Sequence, residues 1–228
     1  MTTSTRHTLP GQSMVEIGVM IALVAVIAAV GLSTTGTSVD TAMCQVVSAF
    51  GGGDCGTRLL FADDFTNMNA WERAAGTWKI DNGELSGGPG EGRLFTPIPA
   101  DDYTIDIDTA RLSQGNGYGV FFRTENFGKV NGYTFQYDPG LQGFAFRKWV
   151  NGSEISTPIA IAKAPNYDWY NSDRKLQITV KGDTFTASID GQHVLTTSDS
   201  TYTSGGIGLR TWDSTQASFD NLSVYSVR

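Results

Sequence analysis

Hydrophobic and polar residues follow two different patterns along the chain, and the pattern changes near residue 57. Residues 17–32 are uncharged and mostly apolar, and residues 12–50 can run as one helix, with isolated glycines such as Gly18 and Gly31 as weak points. A helix that is apolar on every side has to be enclosed by lipid or by other helices. The pattern therefore predicts a long N-terminal helix over residues 12–50 that lies in a membrane or in a helical assembly.

Beyond residue 58 the pattern has the twofold period of β-strands. Apolar and polar residues alternate over residues 103–109, 176–180 and 185–189, and Asp190–Gly191 supplies a two-residue hairpin turn. About twelve short strands are expected here, with no helix among them. The pattern predicts an antiparallel β-sandwich over residues 59–228.

Composition supports the division into a helix and a soluble domain. Residues 12–56 contain no Lys or Arg and three acids, whereas residues 57–228 carry 15 basic and 20 acidic side chains. Glycines 51–53 end the helix, and residues 51–58 are expected to form a linker. The domain after the linker has about 170 residues, enough to bury a core without the help of disulfides.

A single charge at the start of the apolar segment points to the function of that segment. Glu16 stands directly before the apolar run and five residues after Gly11. An ionised carboxylate left unpaired in hydrocarbon costs several kcal/mol, so this residue needs a partner or a special position. If the chain is cut between Gly11 and Gln12, the new α-amino group of a neighbouring subunit supplies that partner.

This arrangement resembles a prepilin of the type IV filament superfamily, which has a short polar leader, Gly at the cut and Glu at the fifth mature position. Residues 12–50 are similar to almost an entire short Flp-type pilin of the tight-adherence (Tad) class, although Ile17 stands where that subfamily usually has Tyr. The resemblance implies a leader over residues 1–11, a prepilin peptidase and pilus assembly machinery as partners, storage in the inner membrane, and self-assembly into an extracellular filament.

Two other interpretations of the N-terminal segment stay open. Arg6 and His7 precede an apolar core of suitable length for a secretory signal, although no clean small-x-small cleavage site follows. A plain membrane anchor is the second alternative, although the apolar run is short against the ~20 residues expected for a span. Glu16 also suits an ordinary first helical turn, where the helix dipole favours an acid.

The two cysteines lie on either side of the predicted helix end. Cys44 and Cys55 enclose the end of the helix and its Gly-rich return. An even number of cysteines in an exported chain favours a disulfide, which would constrain the unfolded state by about 2–3 kcal/mol. Two unrelated thiols are the alternative, and a metal site is disfavoured because no further Cys or His lies nearby.

The domain after the linker also resembles a known family. The stretches that carry the resemblance, in their order along the chain, are FADDF from residue 61, GTWKIDNGEL from residue 76, GYGVFFRT from residue 117, KGDTFTASIDG from residue 181 and GIGLRTW from residue 206. Together they are similar to concanavalin A-like, laminin G-type jelly rolls. Such domains mostly bind glycans or proteins, and some are attached to glycosidases.

Charge and motif content exclude several functions. The net charge is −7 and Lys and Arg form no cluster, so nucleic acid is not expected as a partner. His193 follows a turn and is interpreted as a solvated loop residue. A glycosidase of this fold needs a matched set of carboxylates, and Asp106 and Asp108 stand on one strand without a third. We therefore predict that the protein is not an enzyme.

Glycan recognition requires aromatic faces together with planar hydrogen-bonding groups. Arg123 and Glu125 at one strand end, with Tyr137 and Trp149 on later strands, supply both kinds of group. These four residues are the predicted ligand-binding site, although aromatic residues at twofold spacing are also the commonest core pattern.

The ends of the domain sequence carry a second candidate site. The jelly-roll resemblance implies that the first and last strands are neighbours, which would bring Asp63 and Asp64 close to Asp220 and Asn221. Carboxylate oxygens are suitable ligands for Ca²⁺, so Asp64 and Asp220 are the predicted metal ligands. Use of these residues in turns and caps is the alternative.

The sequence as a whole predicts a pilin or pilin-like subunit that displays a β-sandwich at the cell surface for adhesion or glycan binding. The alternative is a membrane-anchored or secreted carbohydrate-binding or carbohydrate-active protein that does not polymerise. A minor pilin-like component of a secretion machine is a third interpretation.

The position of Gly11 leads to a prediction about processing. A prepilin peptidase should remove residues 1–11, and replacement of Gly11 by a bulky residue should leave an unprocessed precursor in the membrane. Intact mass and N-terminal sequencing of native protein measure this directly. A mature N-terminus beyond Leu32 would instead support the secretory-signal interpretation.

The position of Glu16 leads to a separate prediction about assembly. Glu16→Ala should permit cleavage but cripple polymerisation, because the amino group of Gln12 would be buried without its partner. Electron microscopy of sheared cell-surface fractions measures filament yield. Filaments of normal number and length from this variant would rule out the charge pairing.

Overall fold

The computed structural model describes residues 57–227, which form two antiparallel β-sheets packed face to face. The strands are β1 (Leu59–Asp63), β2 (Glu72–Ala75), β3 (Trp78–Asp81), β4 (Glu84–Gly87), β5 (Gly92–Thr96), β6 (Tyr103–Gln114), β7 (Tyr118–Glu125), β8 (Asn131–Asp138), β9 (Gly143–Val150), β10 (Ser153–Glu154), β11 (Ala160–Lys163), β12 (Arg174–Lys181), β13 (Thr184–Ile189), β14 (Gln192–Ser198), β15 (Gly206–Thr211) and β16 (Gln216–Ser226). A 3₁₀ turn spans Phe127–Lys129. The strands outnumber those expected from the sequence because short ones such as β10 contain too few residues to show a period.

The order of strands is that of a sandwich in which the first and last described strands are neighbours. Sheet A has the order β14-β13-β12-β6-β16-β4-β3, with β1 also paired to β16, and sheet B has the order β10-β9-β8-β7-β15-β5-β2, with β11 also paired to β9. Asp63 of the first strand lies opposite Leu222 of the last strand, as the jelly-roll resemblance implies. The predicted antiparallel β-sandwich is therefore confirmed for this part of the chain.

Alternation along the strands of sheet A separates core from solvent. In β6, Tyr103, Ile105 and Ile107 are buried, while Asp106 and Asp108 lie on the other face. Asp106 accepts a hydrogen bond from the side chain of Gln177, and Asp108 forms an exposed ion pair with Lys175. The interpretation of these two acids as part of a solvent-facing pattern is thus confirmed.

Aromatic side chains form most of the contact between the two sheets. Phe122 of sheet B meets Phe185 of sheet A with the ring centroids 4.9 Å apart in an edge-to-face arrangement. Edge-to-face pairs of this kind add about 0.5–1.5 kcal/mol to the gain from burial. The core therefore has its stabilising contacts where the inner faces of the two sheets meet.

The predicted hairpin turn is present. Asp190 and Gly191 join β13 to β14 with φ angles of +53° and +75°. A two-residue turn of type I′ requires positive φ at both positions, and Asp-Gly meets this requirement at low cost.

The N-terminal predictions lie outside the described residues. This holds for the leader over residues 1–11 with its cut between Gly11 and Gln12, for Glu16, for the helix over residues 12–50, for the pair Cys44 and Cys55, and for all of the linker except residues 57 and 58. Between residues 57 and 227, no helix has the length and apolar character that a membrane crossing requires. The N-terminal assignments stay predictions.

A partly buried ion pair connects sheet B to the loop that follows β14. Asp199 accepts hydrogen bonds from the Tyr133 hydroxyl at 2.7 Å and from the Thr201 N–H at 2.9 Å, and it pairs with Lys148. Burial by itself would raise the pKa of the Asp199 carboxyl, but the hydrogen bonds from Lys148, Thr201 and Tyr133 outweigh it and hold this pKa well below the usual range. Asp199 therefore stabilises the fold in its ionised form.

This network makes stability depend on pH in a defined direction. Because the pKa of Asp199 is lower in the folded state, its contribution is present above about pH 4 and is lost as the pH falls toward the folded-state pKa. Asp199→Asn should lower the free energy of unfolding by about 1.5–3 kcal/mol at pH 7, and the difference should shrink at pH 3. Urea denaturation at both pH values measures it. The exposed Asp81→Asn serves as control, and an equal difference for Asp199→Asn at both pH values would contradict the assignment.

Candidate functional site

The outer face of sheet B, opposite the core, carries polar and charged side chains. In β8, Tyr133, Phe135 and Tyr137 pack in the core, so the alternate residues Thr134 and Gln136 lie on the outer face. Both are buried, with exposed fractions of 0% and 2%. Polar side chains so far from water have to find their hydrogen-bond partners within the protein.

Strand register brings the partners together on this face. Thr134 of β8 lies opposite Arg147 of β9, and Gln136 lies opposite Gly119 of β7. Gly119 in turn lies opposite Arg210 of β15, and Arg210 lies opposite Arg93 of β5. We call the resulting group the Arg210 cluster; its members are Glu91, Arg93, Gln136, Arg147, Trp149, Glu154, Arg210 and Trp212.

Arg210 is the centre of this cluster. Its Nε and one terminal nitrogen donate to the two carboxylate oxygens of Glu91 at 3.2 and 3.1 Å, and the other terminal nitrogen donates to Glu154. The guanidinium carbon lies 4.7 Å from the ring of Trp149 and 4.8 Å from the ring of Trp212. Bidentate pairing and two aromatic neighbours hold this side chain in one orientation.

Glu154 is held from a second side. Gln136 Nε2 donates to a carboxylate oxygen of Glu154 at 2.7 Å, and Arg147 Nε lies 3.1 Å from the other oxygen. Arg147 Nε also donates to Gln136 Oε1 at 2.8 Å, and one of its terminal nitrogens donates to the carbonyl of Ser156 at 2.7 Å. The three side chains therefore form a closed network in which donors and acceptors are matched.

Trp149 forms the aromatic base of the cluster. Its Nε1 donates to Thr134 Oγ1 at 2.7 Å, and its ring meets Phe121 edge to face at 5.2 Å between centroids. Phe95 and Val130 complete a small apolar cluster around these two rings on the same side of the sheet. The charged groups thus rest on an apolar floor, which raises the strength of electrostatic interactions there.

Glycine at one position makes room for this floor. A Cβ atom on Gly208 would lie 2.4 Å from the ring of Phe95, closer than any real contact. Gly208 and Arg210 alternate in β15 with Ile207 and Leu209, which face the core. The alternation in this strand therefore places one small and one charged residue on the outer face.

Exposure differs between the members of the cluster. The side chains of Arg147 and Arg210 are 10% and 11% exposed, whereas Glu91 and Glu154 are 41% and 23% exposed. The carboxylates are thus accessible to a ligand, while buried guanidinium groups fix their positions. Asp138 lies nearby on the same face, where burial raises the pKa of its carboxyl despite hydrogen bonds from backbone N–H groups and the charge of Arg147.

The predicted ligand residues Arg123 and Tyr137 are not at the surface. Arg123 as a residue is 1% exposed; its side chain donates to the carbonyls of Asp101 and Tyr202 and lies over Phe185. A β-bulge in β7, with Arg123 at φ +48°, interrupts the alternation and turns this side chain inward. The prediction of a surface role for Arg123 is wrong for this reason.

Tyr137 belongs to the core. Its ring stacks on Tyr118 with centroids 4.9 Å apart, and its hydroxyl donates to the carbonyl of Trp169 at 3.0 Å. Burial raises the pKa of this hydroxyl far above its usual value. Tyr137 therefore has a packing role, which is the alternative that twofold aromatic spacing left open.

The other two predicted ligand residues are accounted for differently. Trp149 lies on the outer face as part of the Arg210 cluster, but it is 4% exposed and supports the site from below. Glu125 is exposed at the end of β7, where it accepts a hydrogen bond from Asn131. It lines a groove with Phe127 and Gly206 at the end of the sheet. The structure therefore does not bring the four residues together.

The two predicted Ca²⁺ ligands differ in their positions: Asp64 directly follows β1, whereas Asp220 lies within β16. A groove between the first and last strands is lined by Asp63, Asp64, Asp108 and Asn221. Asp64 accepts a hydrogen bond from the N–H of Thr66, and Asp220 accepts two from Asn221. In the described part of the chain, no three His, Cys, Asp or Glu side chains are grouped to hold a metal ion. Ca²⁺ binding through Asp64 and Asp220 stays a prediction.

Sequence reasoning missed the central residues of the cluster. Arg210 and Trp212 stand in the stretch GIGLRTW, whose alternation places Gly, Gly, Arg and Trp on one face. This alternation could have indicated that Arg210 and Trp212 share one face of the sheet. No local pattern connects Arg210 with Glu91 or Glu154, which are 119 and 56 residues away.

Comparison with known proteins connects the domain to carbohydrate-active relatives. The levanase of Bacillus subtilis (strain 168) is 29% identical over 170 residues, which are 71% of this chain and 23% of the levanase. The chain therefore spans less than a quarter of that relative's length.

Solved structures share the same fold. The carbohydrate-binding module CBM66 from Bacillus subtilis has a TM-score of 0.58 and 27% identity, over 68% of this chain and 95% of the module. The exoplasmic/lumenal domain of VIP36, in its Ca²⁺- and mannose-bound form, has a TM-score of 0.58 over 71% of this chain and 85% of that domain. At 12% identity this second likeness shows the fold alone.

A family model adds the assignment of the domain. The model described as the 3-keto-alpha-glucoside-1,2-lyase-like domain matches residues 56–225, which include all the strands of both sheets except the last residue of β16. The chain belongs to the family of 3-keto-alpha-glucoside-1,2-lyase-like domains.

Proposed function

We propose that the β-sandwich binds carbohydrate on the outer face of sheet B, at the Arg210 cluster. The observation that carries this proposal is the geometry of Arg210, which holds two accessible carboxylates, Glu91 and Glu154, beside the half-buried ring of Trp212. The similarity to the CBM66 module, which extends over 95% of that module, also supports it.

The chemistry of the cluster suits a sugar. Carboxylate oxygens of Glu91 and Glu154 would accept hydrogen bonds from hydroxyl groups, and the apolar face of Trp212 would contact C–H groups of the ring. Because Arg147, Gln136 and Arg210 already fix the acceptors, little side-chain freedom is lost on binding. Such preorganisation raises affinity by reducing the entropy cost of association.

We propose binding without cleavage of the glycan. Hydrolysis requires one carboxyl that donates a proton and a second that acts as base or nucleophile. Glu91 and Glu154 each accept hydrogen bonds from Arg210, which suits the acceptor role. Asp138 accepts the N–H of Leu141 at 2.8 Å within a turn. The catalytic activity of the levanase is not extended to this chain, which matches 23% of that enzyme.

The proposed location of the domain is the cell surface. The motif from Gly11 to Glu16 supports display on a type IV or Tad-like filament, and it is the basis for polymerisation and for the peptidase as a partner. The alternative interpretation, an anchored or secreted carbohydrate-binding protein that does not polymerise, would contain the same sandwich and the same Arg210 cluster. Glycan binding is therefore proposed independently of filament assembly, which the Gly11 and Glu16 variants test.

Two substitutions in the cluster test the proposed function. Glu91→Gln and Trp212→Ala should each weaken glycan binding at least tenfold, about 1.4 kcal/mol, because they remove an acceptor and an apolar face from an accessible part of the site. Glycan-array binding and titration calorimetry of the full-length protein, with and without chelator, measure the effect.

Asp108→Asn, on the outer face of sheet A, is the matched control and should bind as the unchanged protein does. Equal binding by all four proteins would place the ligand elsewhere. Release of reducing sugar from any bound glycan, lost in Glu91→Gln, would overturn the proposal of binding without cleavage.

A further inference from the structure

We infer that the glycan bound at the Arg210 cluster carries an anionic group, a carboxylate or a sulfate ester, and that Arg93 binds it. This inference rests on the proposed function of the same site and adds the class of ligand. It follows from the hydrogen bonding of the three arginines in the cluster, from the register of β5 against β15, and from the distribution of carboxylates on this face.

Arg93 differs from the two other arginines in its hydrogen bonding. Arg147 and Arg210 donate to Glu154, Glu91, Gln136 and backbone carbonyls. The Nε of Arg93 is buried and has no hydrogen-bond partner in the described part of the chain. The closest carboxylate oxygen, on Glu91, lies 3.6 Å from it, beyond hydrogen-bonding distance. Arg93 therefore has donors that the protein does not use.

Strand register makes this position electrostatically unfavourable without a ligand. Arg93 lies directly opposite Arg210 in the β5–β15 pair, and like charges in directly opposed positions destabilise a sheet. Glu91 is the carboxylate between them, but both of its oxygens accept hydrogen bonds from Arg210. Arg93 therefore shares Glu91 with Arg210 as an ion-pair partner at 3.6 Å but makes no hydrogen bond to it, and an anion next to Arg93 would supply that bond and reduce the repulsion.

Glu154 and Asp138 are engaged with other groups on this face. Glu154 binds Gln136, Arg147 and Arg210. The carboxyl of Asp138 accepts the N–H of Leu141 and interacts with the charge of Arg147. Arg93 is therefore the one arginine of the cluster that lies beyond hydrogen-bonding distance of Glu91 and Glu154 in the described part of the chain.

The surroundings of Arg93 favour an oxyanion over a neutral hydroxyl. Its guanidinium carbon lies 5.9 Å from the ring of Trp149, and its side chain is 19% exposed, so it is partly removed from water yet open to a ligand. A planar guanidinium with free donors matches the two oxygens of a carboxylate or sulfate in a bidentate manner. Hydrogen bonds between charged groups are stronger than those to neutral hydroxyls, particularly over an apolar floor.

Matched pairs of polysaccharides test the inference with the full-length protein. Polygalacturonate and its fully methyl-esterified form differ in the carboxylate, and dextran sulfate and dextran differ in the sulfate ester. The charged member of at least one pair should bind at least tenfold more tightly, and this preference should fall as NaCl is raised from 50 to 500 mM. The pair that shows the preference identifies the anionic group.

The variant Arg93→Gln should reduce that preference to less than threefold, while Arg111→Gln, an equal change of charge on the outer face of sheet A, should retain it. Arg93→Lys keeps the charge without the planar fork and should retain only part of the preference. Thermal unfolding of each variant, compared with the unchanged protein, verifies that the fold is intact.

Equal binding of charged and uncharged polymers by the unchanged protein, or equal loss in Arg93→Gln and Arg111→Gln, would overturn the inference. Binding of a neutral glycan that is weakened by Glu91→Gln, together with no preference for charge, would overturn the anion site while the proposed glycan function stands. Binding of none of the four polymers would likewise overturn it, and the glycan array then decides the proposed function by itself.

Discussion

The burial of both faces of sheet B is the constraint on which the rest of the structure depends. All residues of β15 are buried, although the strand contains Arg210, whereas β12 of sheet A alternates between buried and exposed positions. An antiparallel sheet in a soluble protein commonly has one solvated face. Sheet B instead buries aromatic side chains on its inner face and charged side chains on its outer face, which imposes two different packing requirements on the same strands.

On the inner face, the packing requirement is met by the complementary shapes of the aromatic side chains. On the outer face, it is met by ion pairs and hydrogen bonds between the charged side chains. Charges removed from water have to be matched by opposite charges and hydrogen bonds, and loss of one partner typically costs about 3–5 kcal/mol. Arg147, Gln136 and Glu154 therefore fix one another, and Arg210 links them to Glu91. The same pairing that makes burial tolerable also holds acceptors in place for a ligand. Under the proposed function, stability and recognition thus depend on the same network.

Local sequence pattern identified the strands better than it identified the faces of their side chains. Tyr137 has the twofold spacing expected of a residue that lines a sheet, and it does so on the inner face, against Tyr118. The alternation of inner and outer side chains in β7 holds as far as Phe122. A bulge after that residue turns the side chain of Arg123 toward the inner face. Which face of a sheet is covered depends on the second sheet, and a bulge depends on the partner strand, so neither is encoded within one strand.

The sequence by itself determined the antiparallel sandwich, the Asp190–Gly191 hairpin and the solvent-facing position of Asp106, because strand period and turn geometry are local properties. Only the tertiary structure decided the composition of the site. Glu91, which precedes β5, Glu154 of β10 and Arg210 of β15 are far apart in the chain and meet only when these strands join one sheet. Hydrogen bonds between residues so far apart in the sequence depend on strand order and register. Both arise only when the whole sheet forms and cannot be derived from any single segment.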